Sequence, residues 1–384
     1  MTDNRYRRLP VGIQSFKVIR EENYLYVDKS DIVWNMVNLG DKYNYLSRPR
    51  RFGKSVLVDT LESYLEGRKD LFEGLKIMQL EKDWKHYPVI RLDMSRGGAN
   101  EETLRSYLNL RFKDYEEKYN ITPDPTAMLA DRFHAIIATA YKQTGLRVAV
   151  LIDEYDSPLQ HSWRTPEHEK CTGVYREVFA ILKADDEYEH FVFITGITKF
   201  TQISLFSVLN NLSNISFTPE YAAICGITEE EIEENFMPEI RQMSEANNWS
   251  IQETHDRLKA YYDGYHFSRR NMVDVYNPYS LVNALKSKEI INFWASSGAT
   301  SLLPKFVDNA ELRMKSFENC RIMRNTLELS DVSGGGAELF LYQSGYLTIK
   351  DSDEFGYILG FPNEEVKQAL YEEGKGLLDW KRAE

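Results

Sequence analysis

The sequence predicts an α/β fold in which helices cover both faces of a mostly parallel sheet. Along the first half of the chain, short apolar segments that resemble strands alternate with longer segments of helical periodicity. The strand-like segments are apolar nearly throughout, which is typical of strands buried on both faces. Polar clusters follow three of these segments, and ligands of such sheets bind beyond the carboxyl ends of the strands.

The first predicted elements surround a short basic segment. After residue 54 the apolar positions Val56, Leu57, Leu61 and Leu65 have the spacing of one helix face rather than the alternation of a strand. In chain order we expect a strand at 24–27, a helix at 29–39, a strand at 43–47 and a helix from 54 to about 66.

Three further apolar runs extend the pattern. The run at 148–152 ends in Asp153 and Glu154, and the run at 191–195 ends at Gly196. Between and around them we expect a strand at 88–93 and helices at about 101–119, 126–143 and 167–184.

The character of the chain changes near residue 226. Thr228 followed by Glu231 is the start signature of a helix. Further helices are predicted through about 246 and over 250–262, and residues 346–350 and 356–361 are predicted to form a hairpin. We therefore expect a first domain over 1–225 and a mainly helical second domain over 226–384, with a winged helix as one interpretation of its helices and hairpin.

Composition and charge exclude several classes of protein. An apolar fraction of 42% in 384 residues is enough for packed cores and too high for a disordered chain. A net charge of −12 argues against a broad electrostatic surface for nucleic acid. The chain has no signal-peptide pattern and no run of ~18 apolar residues, and its three distant cysteines suit a reducing compartment. We therefore expect a cytoplasmic protein that does not contact a membrane.

Residues 48–55, RPRRFGKS, match most of a phosphate-binding loop. The full Walker A pattern is G-x-x-x-x-G-K-[ST] between a strand and a helix, and Arg48 replaces its first glycine here. Gly53 lets the backbone approach a phosphate, and the amides that open the helix point at the anion. Lys54 adds a positive charge for the β- and γ-phosphate oxygens, so we also expect it to act in catalysis, and the Ser55 hydroxyl can bind Mg²⁺.

The basic cluster around this helix start favours an anion-binding interpretation; its members are Arg48, Arg50, Arg51 and Lys54. Arg and Lys at a helix N-terminus oppose the helix dipole, a cost that a bound anion would offset. The alternative is a helix that simply begins with basic residues. The predicted nucleotide-binding residues are Arg50, Arg51, Phe52, Gly53, Lys54 and Ser55.

Asp153 and Glu154 form a Walker B-like pair at the end of an apolar strand. Nucleotide-bound Mg²⁺ prefers one or two carboxylates and several waters, so Asp153 is the expected metal ligand beside Ser55. Glu154 suits the role of general base for the attacking water. The alternative is a strand that ends in a polar turn, since Asp156 and Ser157 are also typical of loops.

A third polar cluster, Thr195-Gly196-Ile197-Thr198-Lys199, follows the next apolar strand. In nucleotide hydrolases of this architecture a polar residue here can sense the γ-phosphate, and Thr195 and Lys199 are the candidates. An ordinary turn explains the segment equally well. Arg164 and Arg176 are alternative arginine fingers, between which the sequence does not choose.

The motifs taken together resemble the AAA-ATPase-like family of bacterial P-loop ATPases. The matching stretches are LPVGIQSF, YLYVDKS, SRPRRFGKS, LIDEYDSPL, FITGITKF, GITEEEI, YYDGYHFS, YNPYSL and LYQSGYLTI, and they span nearly the whole chain. The resemblance implies ATP as the nucleotide, a P-loop domain, and phosphate binding at Gly53, Lys54 and Ser55. Family members usually continue into a C-terminal PD-(D/E)xK nuclease-like domain, which we expect this chain to lack.

Three functions remain open at this point. The first is Mg²⁺-dependent ATP hydrolysis that drives a conformational change in residues 226–384. The second is a nucleotide-binding switch without turnover that controls an effector domain or a partner. The third is a nucleic-acid module acting with the missing nuclease-like domain. The sequence decides neither ATP over GTP nor the oligomeric state.

Overall fold

A computed structural model of the chain describes residues 8–124, 126–200, 212–296, 303, 317–330, 332 and 336–378, with the backbone alone at 371 and 373–378. Five strands form one sheet in the order β2-β3-β4-β1-β5, and all neighbouring strands are parallel. The strands are β1 (Tyr43–Ser47), β2 (Val89–Asp93), β3 (Val148–Asp153), β4 (Glu189–Gly196) and β5 (Ser213–Asn214).

The central strands of this sheet are buried on both faces. All six residues of β3 are buried, as are all residues of β4 except His190. A parallel sheet reaches this state only when other elements cover both of its faces. The predicted α/β fold class is therefore confirmed.

Nine α-helices lie among the described residues between 8 and 200. Local signals set several ends: the Asn100 side chain accepts from the Thr103 amide (2.9 Å), and Gly145 ends its helix with φ 69°. The helices are α1 (Phe16–Glu21), α2 (Ser30–Asn38), α3 (Lys54–Leu65), α4 (Ile77–Leu80), α5 (Glu101–Lys118), α6 (Leu129–Thr144), α7 (Ser157–Ser162), α8 (Glu167–Phe179) and α9 (Ile181–Ala184).

The structure departs from the sequence-based elements in two places. Residues 24–27 are not a strand, because only Tyr24 forms an isolated bridge, to Arg8, and a strand needs continuous partners. The helix expected over 167–184 is divided into α8 and α9.

The later part of the chain contains helices and a small antiparallel sheet of order β6-β8-β7. The predicted hairpin is confirmed as β7 and β8, whereas β6 was not predicted. The helices are α10 (Glu229–Asn235), α11 (Met237–Asn247), α12 (Ile251–Tyr262), α13 (Pro278–Ser287), α14 (Phe293–Ser296), α15 (Arg324–Leu329), α16 (Gly336–Ser344) and α17 (Glu364–Leu378), and the strands are β6 (Cys320–Met323), β7 (Thr348–Ser352) and β8 (Gly356–Gly360).

The start of α10 shows why its sequence signal was reliable. The Glu231 amide donates to the Thr228 hydroxyl (3.3 Å), and the Thr228 amide donates to the Glu231 carboxylate (2.9 Å). The apolar faces of these helices then share one core, which contains Ile232, Phe236 and Leu281.

Contacts divide the chain into two compact units. The sheet unit comprises Ser30–Ser47 and Val58–Ile215. The C-terminal unit comprises Met1–Lys29, Arg48–Leu57 and Ser216–Glu384. The short segment that carries the predicted phosphate loop therefore packs with the C-terminal unit, and the division along the sequence at 225/226 stays a prediction.

None of the helices within the described ranges is long and apolar enough to cross a membrane.

Candidate functional site

The segment between β1 and α3 has the chain path of a phosphate loop. Arg48 follows directly on the last residue of β1, and α3 begins at Lys54. Arg51 and Gly53 have positive φ angles of 70° and 84°, and alternation of this kind can point backbone N–H groups to one side. A Cβ on Gly53 would meet nothing within 4 Å, so its backbone conformation rather than lack of space favours glycine.

The Lys54 side chain is held by its own loop. Its Nζ donates to the carbonyl oxygens of Arg48 and Pro49, both at 3.0 Å, and the residue is only 5% exposed. These two bonds hold the ammonium group within the loop that opens α3. A fixed positive charge at a helix N-terminus suits an anion such as a phosphate.

Arg48 does not have the anion-attracting role expected for the basic cluster. Its guanidinium group donates to the carbonyl oxygens of Ser216 and Tyr221, both at 2.9 Å. It also lies over the ring of Phe267, 4.1 Å from the centroid. The sequence shows the charge of Arg48 but not its burial, which is why this role was wrong.

The remaining loop residues differ in how their side chains are used. The Arg51 guanidinium lies over the Tyr279 ring at 5.0 Å, whereas Arg50 is half-buried. Phe52 is buried edge-on against Tyr265, with ring centroids 4.7 Å apart, so only its backbone is suited to a phosphate. Ser55, the second residue of α3, is half-buried.

The acidic pair lies where the sequence predicted it, at the carboxyl end of β3. Asp153 is 2% exposed, and its Oδ1 accepts a hydrogen bond from the Glu154 amide at 2.9 Å. Glu154 is half-buried and has a φ of 46°, which is uncommon for a residue other than glycine. Such backbone strain is concentrated at functional sites, because the surrounding structure must maintain it.

The sensor candidates lie beyond β4 in a tightly bonded turn. The Thr195 hydroxyl donates to the Leu46 carbonyl at 2.8 Å, and this hydrogen bond links β4 to β1. Lys199 is 8% exposed. The sensor role of both residues stays a prediction.

Asp156 organises this turn, although the sequence indicates only a loop residue at this position. Its Oδ2 accepts from the amides of Ile197 (3.0 Å) and Thr198 (2.6 Å), from the Thr198 hydroxyl (2.7 Å) and from Gln160. Asp156 is 1% exposed. Its position two residues after Glu154 was the one sign in the sequence that it belongs to the site. A sequence does not distinguish an aspartate that merely forms a turn from one that accepts several buried hydrogen bonds.

The sheet places two of the predicted segments, those that follow β3 and β4, beside each other. Ser47 pairs with Gly196, and Ile152 pairs with Ile194, so β1, β3 and β4 end side by side with β4 in the middle. Asp153 and Thr195 are therefore neighbours across adjacent strands.

The candidate metal ligands carry oxygen donors, which suit Mg²⁺. Among the described residues, no group of three or more His, Cys, Asp or Glu side chains could hold a metal ion. Mg²⁺ in phosphate sites needs no such group, because it takes one or two protein oxygens, phosphate oxygens and water. In the sheet unit the buried carboxylate of Asp153 is a donor of that kind, and in the C-terminal unit the Ser55 hydroxyl is another.

Comparison with known proteins identifies the family. The sequence profile described as "Predicted AAA-ATPase" matches residues 10–206, just over half of the chain. This chain belongs to the predicted AAA-ATPase family. Its general class is therefore that of the nucleotide-binding ATPases.

Similar proteins come from bacteria and archaea. A protein of Azotobacter chroococcum encoded in the vnfD 5' region is 32% identical over 375 residues, which cover 95% of this chain and 69% of that protein. The Walker-type ATPase of Pyrococcus abyssi has a TM-score of 0.44 at 13% identity and covers 92% of this chain and 97% of its own. The Orc1 protein of Aeropyrum pernix, solved with DNA, has a TM-score of 0.31 at 12% identity, with coverage of 89% and 90%.

Proposed function

We propose that this protein binds Mg²⁺–ATP at residues 50–55 and hydrolyses it. The observation that carries the proposal is the loop between β1 and α3, in which two positive-φ residues precede a buried lysine whose ammonium is held by two loop carbonyls. Membership of the predicted AAA-ATPase family supports the same ligand. ATP rather than GTP is part of the proposal.

Five residues of the loop then have a definite task in binding the nucleotide. The backbone amides at Gly53, Lys54 and Ser55 bind phosphate oxygens at the start of α3. The Lys54 ammonium neutralises charge on the β- and γ-phosphates. Arg50 and Arg51 add positive charge at the mouth of the loop. Since the ammonium group already lies in the loop, little reorganisation is needed when the nucleotide binds.

The acidic pair supplies the metal ligand and the base. Mg²⁺, when bound, would neutralise the charge that develops on the phosphate oxygens. Ser55 and Asp153 are the residues proposed to hold it. Glu154 accepts a proton from the water that attacks the γ-phosphorus, while the bond from that phosphorus to the bridging oxygen breaks, so that ADP and phosphate leave. Thr195 and Lys199 are proposed to contact the γ-phosphate from the β4 end.

A thermal-shift titration tests nucleotide binding. Mg²⁺–ATP should raise the Tm of the parent progressively, because a ligand at 100 times its Kd adds about 2.7 kcal/mol of stability. Lys54→Ala should respond weakly, whereas Lys183→Ala, which removes an exposed lysine of α9, should respond like the parent. Equal shifts in the parent and Lys54→Ala would exclude this loop as the phosphate site.

Glu154→Gln separates hydrolysis from binding. The substitution keeps the size of the side chain but removes the base, so the Mg²⁺–ATP thermal shift should persist while phosphate release falls about 10²-fold or more. If the parent releases phosphate no faster than Glu154→Gln, the protein is the non-hydrolysing switch instead. The measurement is steady-state phosphate release at saturating Mg²⁺–ATP.

The output of the cycle is also part of this proposal. We propose a cytoplasmic protein whose ATP cycle changes the conformation of the C-terminal region and thereby controls an effector domain or partner. A nucleic-acid partner would require a local basic surface on a chain of net charge −12. DNA binding that is absent, or that does not weaken as salt is raised, would exclude that partner.

A further inference from the structure

Arg48 stands where the Walker A pattern has its first glycine, yet it is only 1% exposed and belongs to the C-terminal unit. The guanidinium group forms two hydrogen bonds of 2.9 Å, to the carbonyl oxygens of Ser216 and Tyr221. The face of the same group lies 4.1 Å from the ring centroid of Phe267. A glycine at this position could form none of these contacts.

Phe267 contacts both ends of the loop. Its ring lies under Arg48 at the start and packs edge-on against Phe52 near the end, with centroids 5.4 Å apart. The Phe52 ring also packs against Tyr265, two residues earlier in the YYDGYHFS stretch. One short segment of the C-terminal unit thus fixes two loop positions that lie four residues apart.

A third contact fixes Pro49, the second residue of the loop. Gly345 lies so close to Pro49 that an added Cβ would be 2.6 Å from the Pro49 Cβ, and the φ of Gly345 is 92°. The Tyr265 hydroxyl donates to the Gly345 carbonyl at 3.1 Å. The loop therefore rests on residues from two distant stretches of the C-terminal unit.

We propose that Arg48 and Phe267 are positioning residues that hold the phosphate loop in its binding conformation, in place of the conformational freedom that the missing glycine provides elsewhere. The physical reason is preorganisation, since a loop already fixed by charge-assisted bonds and aromatic packing loses less entropy when it closes on a phosphate. This inference rests on the proposed nucleotide site. It assigns a role to the YYDGYHFS stretch that packing alone does not require.

The decisive variant is Arg48→Gly, because it restores the standard Walker A pattern. If the first glycine were the better residue, Mg²⁺–ATP would bind as tightly or more tightly. We expect the Kd to rise about tenfold or more, which corresponds to ~1.4 kcal/mol of binding free energy. Arg48→Lys should fall between the two, because a lysine cannot bond two carbonyls in the fixed geometry of a guanidinium group.

Phe267→Leu tests the other anchor against a matched control. Phe236→Leu removes the same atoms from a 0% exposed position in the helical core, away from the loop. Both variants should lower the Tm by a similar amount. Only Phe267→Leu should also raise the Kd for Mg²⁺–ATP, by roughly threefold to tenfold, because only Phe267 contacts the loop. If the Kd is equal in both variants, Phe267 stabilises the core and does not position the loop.

Hydrogen–deuterium exchange without nucleotide makes this test independent of the proposed function. Amides of residues 48–57 should exchange faster in Arg48→Gly and Phe267→Leu than in the parent, and at the parental rate in Phe236→Leu. A parent that fails to bind Mg²⁺–ATP refutes the proposed function, while faster exchange still supports the anchoring. Parental exchange in Arg48→Gly together with unchanged affinity would refute the anchoring, even in a parent that binds the nucleotide.

Discussion

Gly196 shows how tightly one residue is fitted at the end of β4. An added Cβ would overlap Oδ1 of Asp156 and lie 2.8 Å from Cδ1 of Tyr155. The carboxylate of Asp156 is also the acceptor for the amides of Ile197 and Thr198. A methyl group at position 196 therefore displaces the side chain that orders the whole turn.

Gly196→Ala should lower the free energy of unfolding by about 2–4 kcal/mol, through overpacking and the loss of buried hydrogen bonds. Gly173→Ala is the matched control, because Gly173 lies in α8 with nothing within 4 Å of an added Cβ. The control should gain ~0.5–1 kcal/mol, since glycine inside a helix is unfavourable relative to alanine. Urea unfolding of the two variants measures both changes. If both substitutions change the free energy of unfolding in the same direction, the overlap at Gly196 is contradicted.

The sequence was most informative for the positions of residues next to strand ends and helix starts. It predicted Lys54 and Ser55 at the start of α3 and Asp153 at the end of β3, while their roles in binding stay predictions. Arg48 and Asp156 could not be assigned in this way. Their roles depend on carbonyls and amides brought from distant parts of the chain, and a charged residue in a sequence does not reveal which of these it will meet.

At the scale of elements, the strands of the parallel sheet were predicted because burial on both faces leaves an apolar signature. The ends of β1 and β2 agree with the prediction within one residue. Residues 24–27 have similar strand-forming composition but find only the single bridge at Tyr24. Strand β6 was not predicted, because only Ile322 is buried within it and its sequence therefore lacks an apolar run. The strand is defined by its pairing with β8.

The start of α17 carries a buried carboxyl that should make stability depend on pH. Glu365 is 0% exposed, and its Oε1 accepts from the amides of Phe293 (2.8 Å) and Trp294 (3.0 Å) at the start of α14. Burial raises the pKa of Glu365 from 4.5 to about 7. As pH rises from 4.5 towards 7, the unfolded chain ionises this group while the folded chain keeps it protonated, so its contribution to stability falls and then levels off.

Glu365→Gln should remove this pH dependence, because an amide keeps an acceptor for both backbone donors and never ionises. Relative to the parent, the variant should be more stable at pH 8 than at pH 5 by about 3 kcal/mol. Glu364→Gln, at an exposed neighbour, is the control for net charge. The measurement is chemical unfolding at both pH values. If the free energy of unfolding changes equally with pH in the parent and in Glu365→Gln, the Glu365 carboxyl does not stay neutral in the folded chain.

At the scale of the whole molecule, the chain passes repeatedly from one compact unit to the other. The junctions fall at 29/30, 47/48, 57/58 and 215/216. A single boundary predicted at 225/226 does not report the earlier passages, because these occur within one continuous pattern of short strands and helices. Long-range contacts such as Lys29 with Glu231, 2.7 Å apart, create the division, and sequence periodicity does not report them.

A fragment of residues 1–225 should therefore fail as an independent nucleotide-binding domain. It retains the loop but loses Phe267, Tyr265 and Gly345, which pack against Arg48, Phe52 and Pro49, and it leaves Lys29 without the Glu231 carboxylate. We expect a broad thermal transition and no Mg²⁺–ATP shift, while the full chain unfolds sharply and is stabilised by the nucleotide. Differential scanning calorimetry of both proteins, with and without Mg²⁺–ATP, makes the comparison. A sharp transition with a full nucleotide shift in the fragment would mean that residues 226–384 are not needed to shape the loop.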